Sequence, residues 1–193
     1  IILEWMSSRG MKPFAFQEET WQAIEAGKSG LVNAPTGCGK TFSVFLGALI
    51  QFINEHPENY STLSKSGLQL IWVTPLRALA KDIGRAMEEV ISDLGIQWKV
   101  GIRNGDTDTK ERQKQKRQMP EVLIITPESL HLLLAQKGQA EMFGSLRIIA
   151  VDEWHELIGS KRGVQVELAV AYLSHLITNP ALCPTTSALS IWG

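Results

Sequence analysis

A chain of 193 residues, 44% of them hydrophobic, has the length of a single α/β domain that buries about 70% of the surface its unfolded form exposes. A formal net charge of −1 excludes a polybasic nucleic-acid binder acting through its charge as a whole, so any such contact must come from a local patch. Cys38 and Cys183 stand far apart without a C-x-x-C partner, which excludes a disulfide framework and a zinc or iron–sulfur set and fits a reducing, cytoplasmic setting.

At the amino end, IILEWMSSRG lacks a basic region followed by an apolar core and a cleavage site. Nowhere does an apolar run reach the ~18 residues of a membrane span, so the chain reads as soluble and untargeted. Short apolar runs at 31–33, 68–74, 98–102, 121–126, 146–152 and 188–192 are predicted strands. Between most of them, helical periodicity covers 41–54, 76–94, 127–137 and 163–178. Strands alternating with helices predict an α/β fold, a mainly parallel sheet with helices on both faces.

The first strand runs into LVNAPTGCGKTF, residues 31–42. A strand, a Gly-rich turn and a long helix from Thr41 form the context of a phosphate-binding loop. Backbone N–H groups of residues 36–41 can wrap a β-phosphate, aided by the positive end of the helix. The ATP-binding set is then Pro35, Thr36, Gly37, Cys38, Gly39, Lys40 and Thr41. Lys40 reaches the β- and γ-phosphates, and the Thr41 hydroxyl ligates Mg²⁺. Ala34 occupies the place where G-x-x-x-x-G-K-[ST] asks for its first glycine. Alanine is tolerable there at ordinary negative φ, with Gly37 and Gly39 left for conformations that a side chain would strain. Cys38 reads as a backbone contributor; a reactive thiol beside Lys40 at a helix start is the alternative.

FSVFLGALIQFI is apolar nearly all round, as expected of a helix packed deep against a sheet, and HPENYSTLSKSG reads as a surface loop. The strand ends at Thr74-Pro75 and Thr126-Pro127 are each followed by a helix, which proline at its first position starts well. Between them, residues 103–118 hold six basic and three acidic side chains, a modest excess that a solvated helix face would also explain. LRIIAVDEWHEL then delivers Asp152 and Glu153 at the carboxyl end of a strand, where open parallel sheets bind ligands. Asp152 can hold Mg²⁺ while Glu153 polarises a water for in-line attack on the γ-phosphate; a pair of helix-capping acids is the bland alternative. Lys40, Asp152 and Glu153 are the candidate catalytic residues.

APTGCGKT resembles motif I of superfamily 2 helicases, and Asp152-Glu153-Trp154-His155 matches the DExH form of their motif II. TPLRALA, GDT and TPES, in that order between the two, are similar to motif Ia, the Gly-Asp-Thr element and motif Ib. The resemblance implies a RecA-like P-loop domain over residues 1–193, of which residues 1–30 form the adenine-reading segment with Phe14 and Gln17. A glutamine amide can donate to N7 of adenine and accept from its amino group. The resemblance also implies that His155 couples the ATP site to a nucleic-acid site built from Thr74, Pro75, Arg77, Arg103, Gly105, Asp106, Thr107, Thr126, Pro127 and Glu128.

VDEWHELIGSKRGVQVELAVAYL looks like the large helicase-related (Lhr-type) family, most like its ligase-associated bacterial members. That implies ATP-driven 3′-to-5′ translocation on single-stranded DNA in DNA repair, with RNA or RNA–DNA hybrids as alternative substrates and DNA ligase and nuclease as partners. SALSIWG resembles the approach to motif III, so the chain reads as the first of two motor domains. With the arginine finger in the second domain and worth ~10³–10⁵ in turnover, the chain alone is expected to bind ATP but hydrolyse it little. An RNA helicase, a P-loop phosphotransferase and a non-enzymatic nucleotide-binding module remain the other readings.

Overall fold

In the computed structural model, which describes residues 1–35, 37–183 and 189–193, three strands are four-residue runs without one polar side chain. These are β1 (Leu70–Val73), β3 (Val122–Ile125) and β4 (Ile148–Val151), every residue buried. Runs apolar on both sides can only lie in a sheet covered on both faces. With β2 (Val100–Arg103) and β5 (Ser190–Trp192) they form one parallel sheet in the order β2-β3-β1-β4-β5.

Helices α1 (Ile2–Ser8), α2 (Ala15–Glu25), α3 (Lys40–Glu55) and α4 (Arg77–Asp93) share a core with Leu70, Trp72, Ile124 and Ala150. Helices α6 (Pro127–Leu134), α7 (Gln139–Phe143) and α9 (Lys161–Thr178) pack on the alternate strand residues Ile71, Val73, Leu123 and Val151. The period-two alternation of the strands thus assigns each residue its layer. Helix α3 buries Val44, Phe45, Leu46, Leu49, Phe52 and Ile53, as its largely apolar sequence requires. Each such side chain stabilises the fold by about 1.5–3 kcal/mol. The remaining helices are α5 (Thr109–Arg117), the basic segment, and the single turn α8 (Trp154–Leu157).

Register is what positions the site. Leu70 pairs with both Val122 and Ile148, so β1, β3 and β4 run level and end together at Val73, Ile125 and Val151. Thr74, Thr126 and Asp152 therefore emerge side by side along one carboxyl edge.

The predicted strand at 31–33 does not form. Gly30 makes an isolated parallel bridge with Trp192, and the Val32 N–H donates to the Gly193 carbonyl at 2.7 Å. Leu31 is 68% exposed, so this apolar run lacks the burial that turns such a segment into a strand. Of the strand predicted at 188–192, residues 190–192 form β5 and Ala188 lies outside the described residues. Helices α1, α2, α7 and α8 had no counterpart among the predicted helical stretches. No described helix is long and apolar enough to cross a membrane.

Helix α9 starts where Ser160 accepts a hydrogen bond from the Gly163 N–H at 3.0 Å. A Cβ on Gly163 would collide with the carbonyl of Leu157, at the end of α8. Alanine is intrinsically better in a helix by about 1 kcal/mol, yet forced overlap with backbone typically costs about 1–3 kcal/mol. Gly163→Ala should therefore lower the unfolding free energy in urea titration; a gain would show that α8 retreats freely.

Candidate functional site

The loop before α3 is shaped by two glycines in the left-handed region, Gly37 at φ 83° and Gly39 at φ 76°. A Cβ on Gly37 would meet nothing within 4 Å, so its backbone angle, not crowding, is what calls for glycine. Ala34 is not among the residues with positive φ, which is why it can replace the pattern's first glycine. Gly39 caps the sixteen-residue α3, whose free N–H groups and dipole face the loop and favour an anion there. The Cys38 N–H is turned back to the Pro35 carbonyl at 3.3 Å. Thr36, predicted to lie in this set, falls outside the described residues.

Gln17 reaches this loop from α2. Its Oε1 accepts from the Phe14 N–H at 3.0 Å, and its Nε2 donates to the Gly39 carbonyl at 3.1 Å. Only 3% exposed, it braces the amino-terminal segment against the loop. Phe14 is exposed and stacks on Phe16, ring centroids 5.6 Å apart.

Opposite, β4 hands over to Asp152, whose N–H continues the sheet by donating to the Val73 carbonyl at 2.8 Å. Glu153 then takes φ 51° and ψ 45°, a left-handed conformation that a non-glycine residue rarely adopts. This reversal starts α8 at once and presses Asp152 and Glu153 together, with Asp152 Oδ1 accepting the Glu153 N–H at 3.1 Å. Burial first, and the neighbouring Glu153 charge second, push the Asp152 carboxyl above its ordinary range against smaller opposing pulls from the Glu153 N–H and Lys40. The Trp72 indole N–H lies near that carboxyl without meeting hydrogen-bond geometry. His155 Nε2 stands 3.4 Å from Glu153 Oε2 and 3.5 Å from Glu156 Oε1.

Lys40, Thr41, Asp152, Glu153 and His155 line one cleft of about 330 Å³, walled by Trp72 and Trp192. The two halves of the predicted site thus meet in one place. The tryptophan walls and the Gln17 brace were not anticipated. Trp72 sits one residue before the end of β1, on the face that packs against the helix carrying Lys40, and that placement is the only signal the sequence held.

Along the same edge, the residues expected to grip a strand divide. Arg77 is exposed, 3.7 Å from Asp106 Oδ1, and packed on Gly105, where a Cβ would lie 2.9 Å from its Nη1. The hydroxyls of Thr74, Thr107 and Thr126 are engaged inside the protein, with Leu76 N–H, Ile102 carbonyl and Ser129 Oγ respectively. Pro127 opens α6, whereas Pro75 precedes the cap of α4 and does not start it. Arg103 is 5% exposed, its Nη1 buried without a hydrogen-bond partner. Burial, and then the like charge of Arg112, pull the Arg103 pKa down. Position 103 is thus interior, because the last residue of β2 is covered where α5 returns over it. For Glu128, burial would raise the pKa, but its own backbone N–H and Arg162, whose Nε is 2.6 Å from Oε1, outweigh it and hold the carboxyl low.

The chain matches the DEAD/DEAH box helicase family over residues 14–189. The Lhr helicase/uracil glycosylase of Escherichia coli (strain K12) is 32% identical over 189 residues, 92% of this chain and 12% of that protein. An ATP-dependent helicase Lhr-Core of Sulfolobus acidocaldarius is 37% identical over 160 residues, 80% of this chain and 17% of that protein. The structure of Mycobacterium smegmatis helicase Lhr bound to ssDNA and AMP-PNP superposes with a TM-score of 0.76 at 32% identity, covering 98% of this chain and 24% of that one. The chain therefore spans a small part of its curated relatives, and its sheet is the RecA-like one they share.

The raised Asp152 pKa has a measurable sign. The native state holds this proton at pH values where the unfolded carboxyl, near pKa 3.9, has lost it, so stability falls as pH rises through the interval above that value. Asp152→Asn should be more stable than the wild type at roughly pH 7 and lose that advantage below about pH 4, in thermal unfolding scans. An advantage constant across pH would place its origin elsewhere.

Proposed function

The chain belongs to the DEAD/DEAH box helicase family, and on that premise we propose that it is the ATP-binding first motor domain of an ATP-dependent DNA helicase, moving 3′ to 5′ on single-stranded DNA in repair. The observation that carries this is the convergence of Lys40 and Thr41 with Asp152 and Glu153 in one cleft. Gly37, Gly39 and the start of α3 present N–H groups to the β-phosphate, and Lys40 holds the β- and γ-phosphates. Glu153 orients the attacking water, its side chain fixed by the left-handed turn that also carries His155. Mg²⁺ fits here, since Asp152 is a largely buried carboxylate with no ion pair among the described residues, and Thr41 lines the same cleft. Thr41 and Asp152 would hold the ion, which neutralises charge on the phosphates when bound.

A strand would run along the carboxyl edge over Arg77, Gly105, Asp106 and Thr107 towards Thr126, Pro127 and Glu128, with backbone N–H groups and Arg77 taking its phosphates. The ssDNA in the Mycobacterium smegmatis relative supports DNA over RNA or a hybrid. A second RecA-like domain would close the cleft and supply the arginine finger. Ligase and nuclease partners and a cytoplasmic setting belong to this same reading.

Turnover of a longer protein containing this domain should rise strongly with single-stranded DNA, little with single-stranded RNA, and vanish in Glu153→Gln. The 193-residue chain alone should bind ATP and turn it over ~10³-fold or more slowly. Turnover indifferent to either strand would remove the motor assignment.

Gln17 keeps one amide hydrogen and one lone pair beyond its two backbone bonds, the pair that a contact to adenine needs. By calorimetry the chain should prefer ATP to GTP. Gln17→Ala should weaken both, through the lost brace on Gly39, and ATP by about tenfold more. Equal losses would confine Gln17 to bracing.

A further inference from the structure

The amino ends of the strands carry a second concavity, of about 340 Å³, on the opposite side of the sheet edge from the ATP cleft. Lys65 comes from the loop before β1, Lys116 and Arg117 from the last turn of α5, and Lys137 from the link between α6 and α7. Glu141 is the one carboxylate on its wall, which leaves four positive charges against one negative. Among the described residues none of the four cations has an ion-pair partner. In a chain of net charge −1, three segments distant in sequence bring four cations to the wall of one concavity.

Two of the four have another explanation, because cations favour the carbonyl end of a helix such as α5. Lys65 and Lys137 do not. Lys65 is held at φ 60°, one of two non-glycine residues in the left-handed region among the described residues, the other being Glu153. The following Gly67, at φ 75°, is packed so closely on Ser145 that a Cβ would collide with it. Ser145 Oγ donates to the Leu68 carbonyl at 3.1 Å, and Gln69 Nε2 to the Ser66 carbonyl at 2.6 Å, fixing the turn. The strained position is therefore built into the fold and keeps Lys65 on the wall of the basin, where an anion would offset the excess positive charge.

We propose that this basin is a second nucleic-acid contact, taking the sugar-phosphate backbone of a strand segment separate from the one at the carboxyl edge. Leu68, Met119 and Met142 line it beside the cations. Flexible thioethers and an apolar wall suit sugars and base edges, which an inorganic polyphosphate lacks. The four-residue strands separate the two edges by about 13 Å, so a strand held at both must pass around the domain. The choice of nucleic acid as occupant rests on the proposed helicase function; the presence of an anion site does not.

The test is fluorescence anisotropy of the 193-residue chain on a labelled single-stranded oligonucleotide over a range of salt, for the wild type, Lys116→Ala/Arg117→Ala, Lys65→Ala/Lys137→Ala and Arg77→Ala. Each cation that contacts a phosphate should lower the slope of log affinity against log salt by about 0.7. Both double variants should bind more weakly with a slope reduced by about twice that, keeping wild-type ATP affinity and melting temperature. Slopes unchanged in the double variants but lowered in Arg77→Ala would overturn the basin and keep the carboxyl-edge reading. If the wild type binds no strand, tripolyphosphate decides: stabilisation lost in the double variants would overturn the nucleic-acid occupant in favour of a free polyphosphate, and no stabilisation would overturn the site.

Discussion

Parallel pairing that sets Leu70 opposite both Val122 and Ile148 obliges three neighbouring strands to finish at the same height. Everything chemical in the domain follows from that constraint. Antiparallel strands would have scattered these termini to both ends of the sheet; parallel ones collect them. A one-residue slip of β4 would turn Asp152 to the other face and exchange Ile149 for Ala150 in the core. The core therefore polices the register, since Leu70, Trp72 and Ile148 belong to one hydrophobic cluster and Ile71, Val73 and Ile149 to the other.

The site built on this edge opposes stability at several points. Asp152 is an acid placed where burial disfavours its charge, Glu153 sits in a left-handed turn, and α3 begins with N–H groups that have no intrahelical partner. None of these features helps the domain fold. On the proposed function, a cation beside Asp152 and a phosphate at the open end of α3 would offset the first and last of these, so the folded chain would hold an imbalance of charge that its ligand corrects. The sixteen residues of α3, buried nearly all round, anchor the loop firmly enough to sustain it.

Much of this was legible in order along the chain. LIWV, VLII and IIAV announce buried parallel strands, and GCGKT after an apolar run announces a loop with a helix dipole behind it. What escaped was whatever depends on partners remote in sequence. Leu31 reads as a strand residue until its exposure is known, Arg103 as a surface cation until α5 covers it, and Thr74 as a hydroxyl on offer until its inward bond is seen. Gln17 lies twenty-two residues from Gly39, and only the packing of α2 on α3 brings its amide to that carbonyl. Local pattern names the elements, whereas burial decides which polar atoms remain available.

Trp72 and Trp192 both line the cleft, each with an indole N–H that is buried and, among the described residues, without a hydrogen-bond partner. Indole emission responds to the polarity and charge of its surroundings. On the proposed function, a triphosphate entering the cleft would change both. The domain thus carries its own optical gauge of occupancy, set in the walls of the site and needing no attached dye. Binding can be followed in the untouched protein, and a single ring can be silenced as phenylalanine to learn which wall the nucleotide meets first.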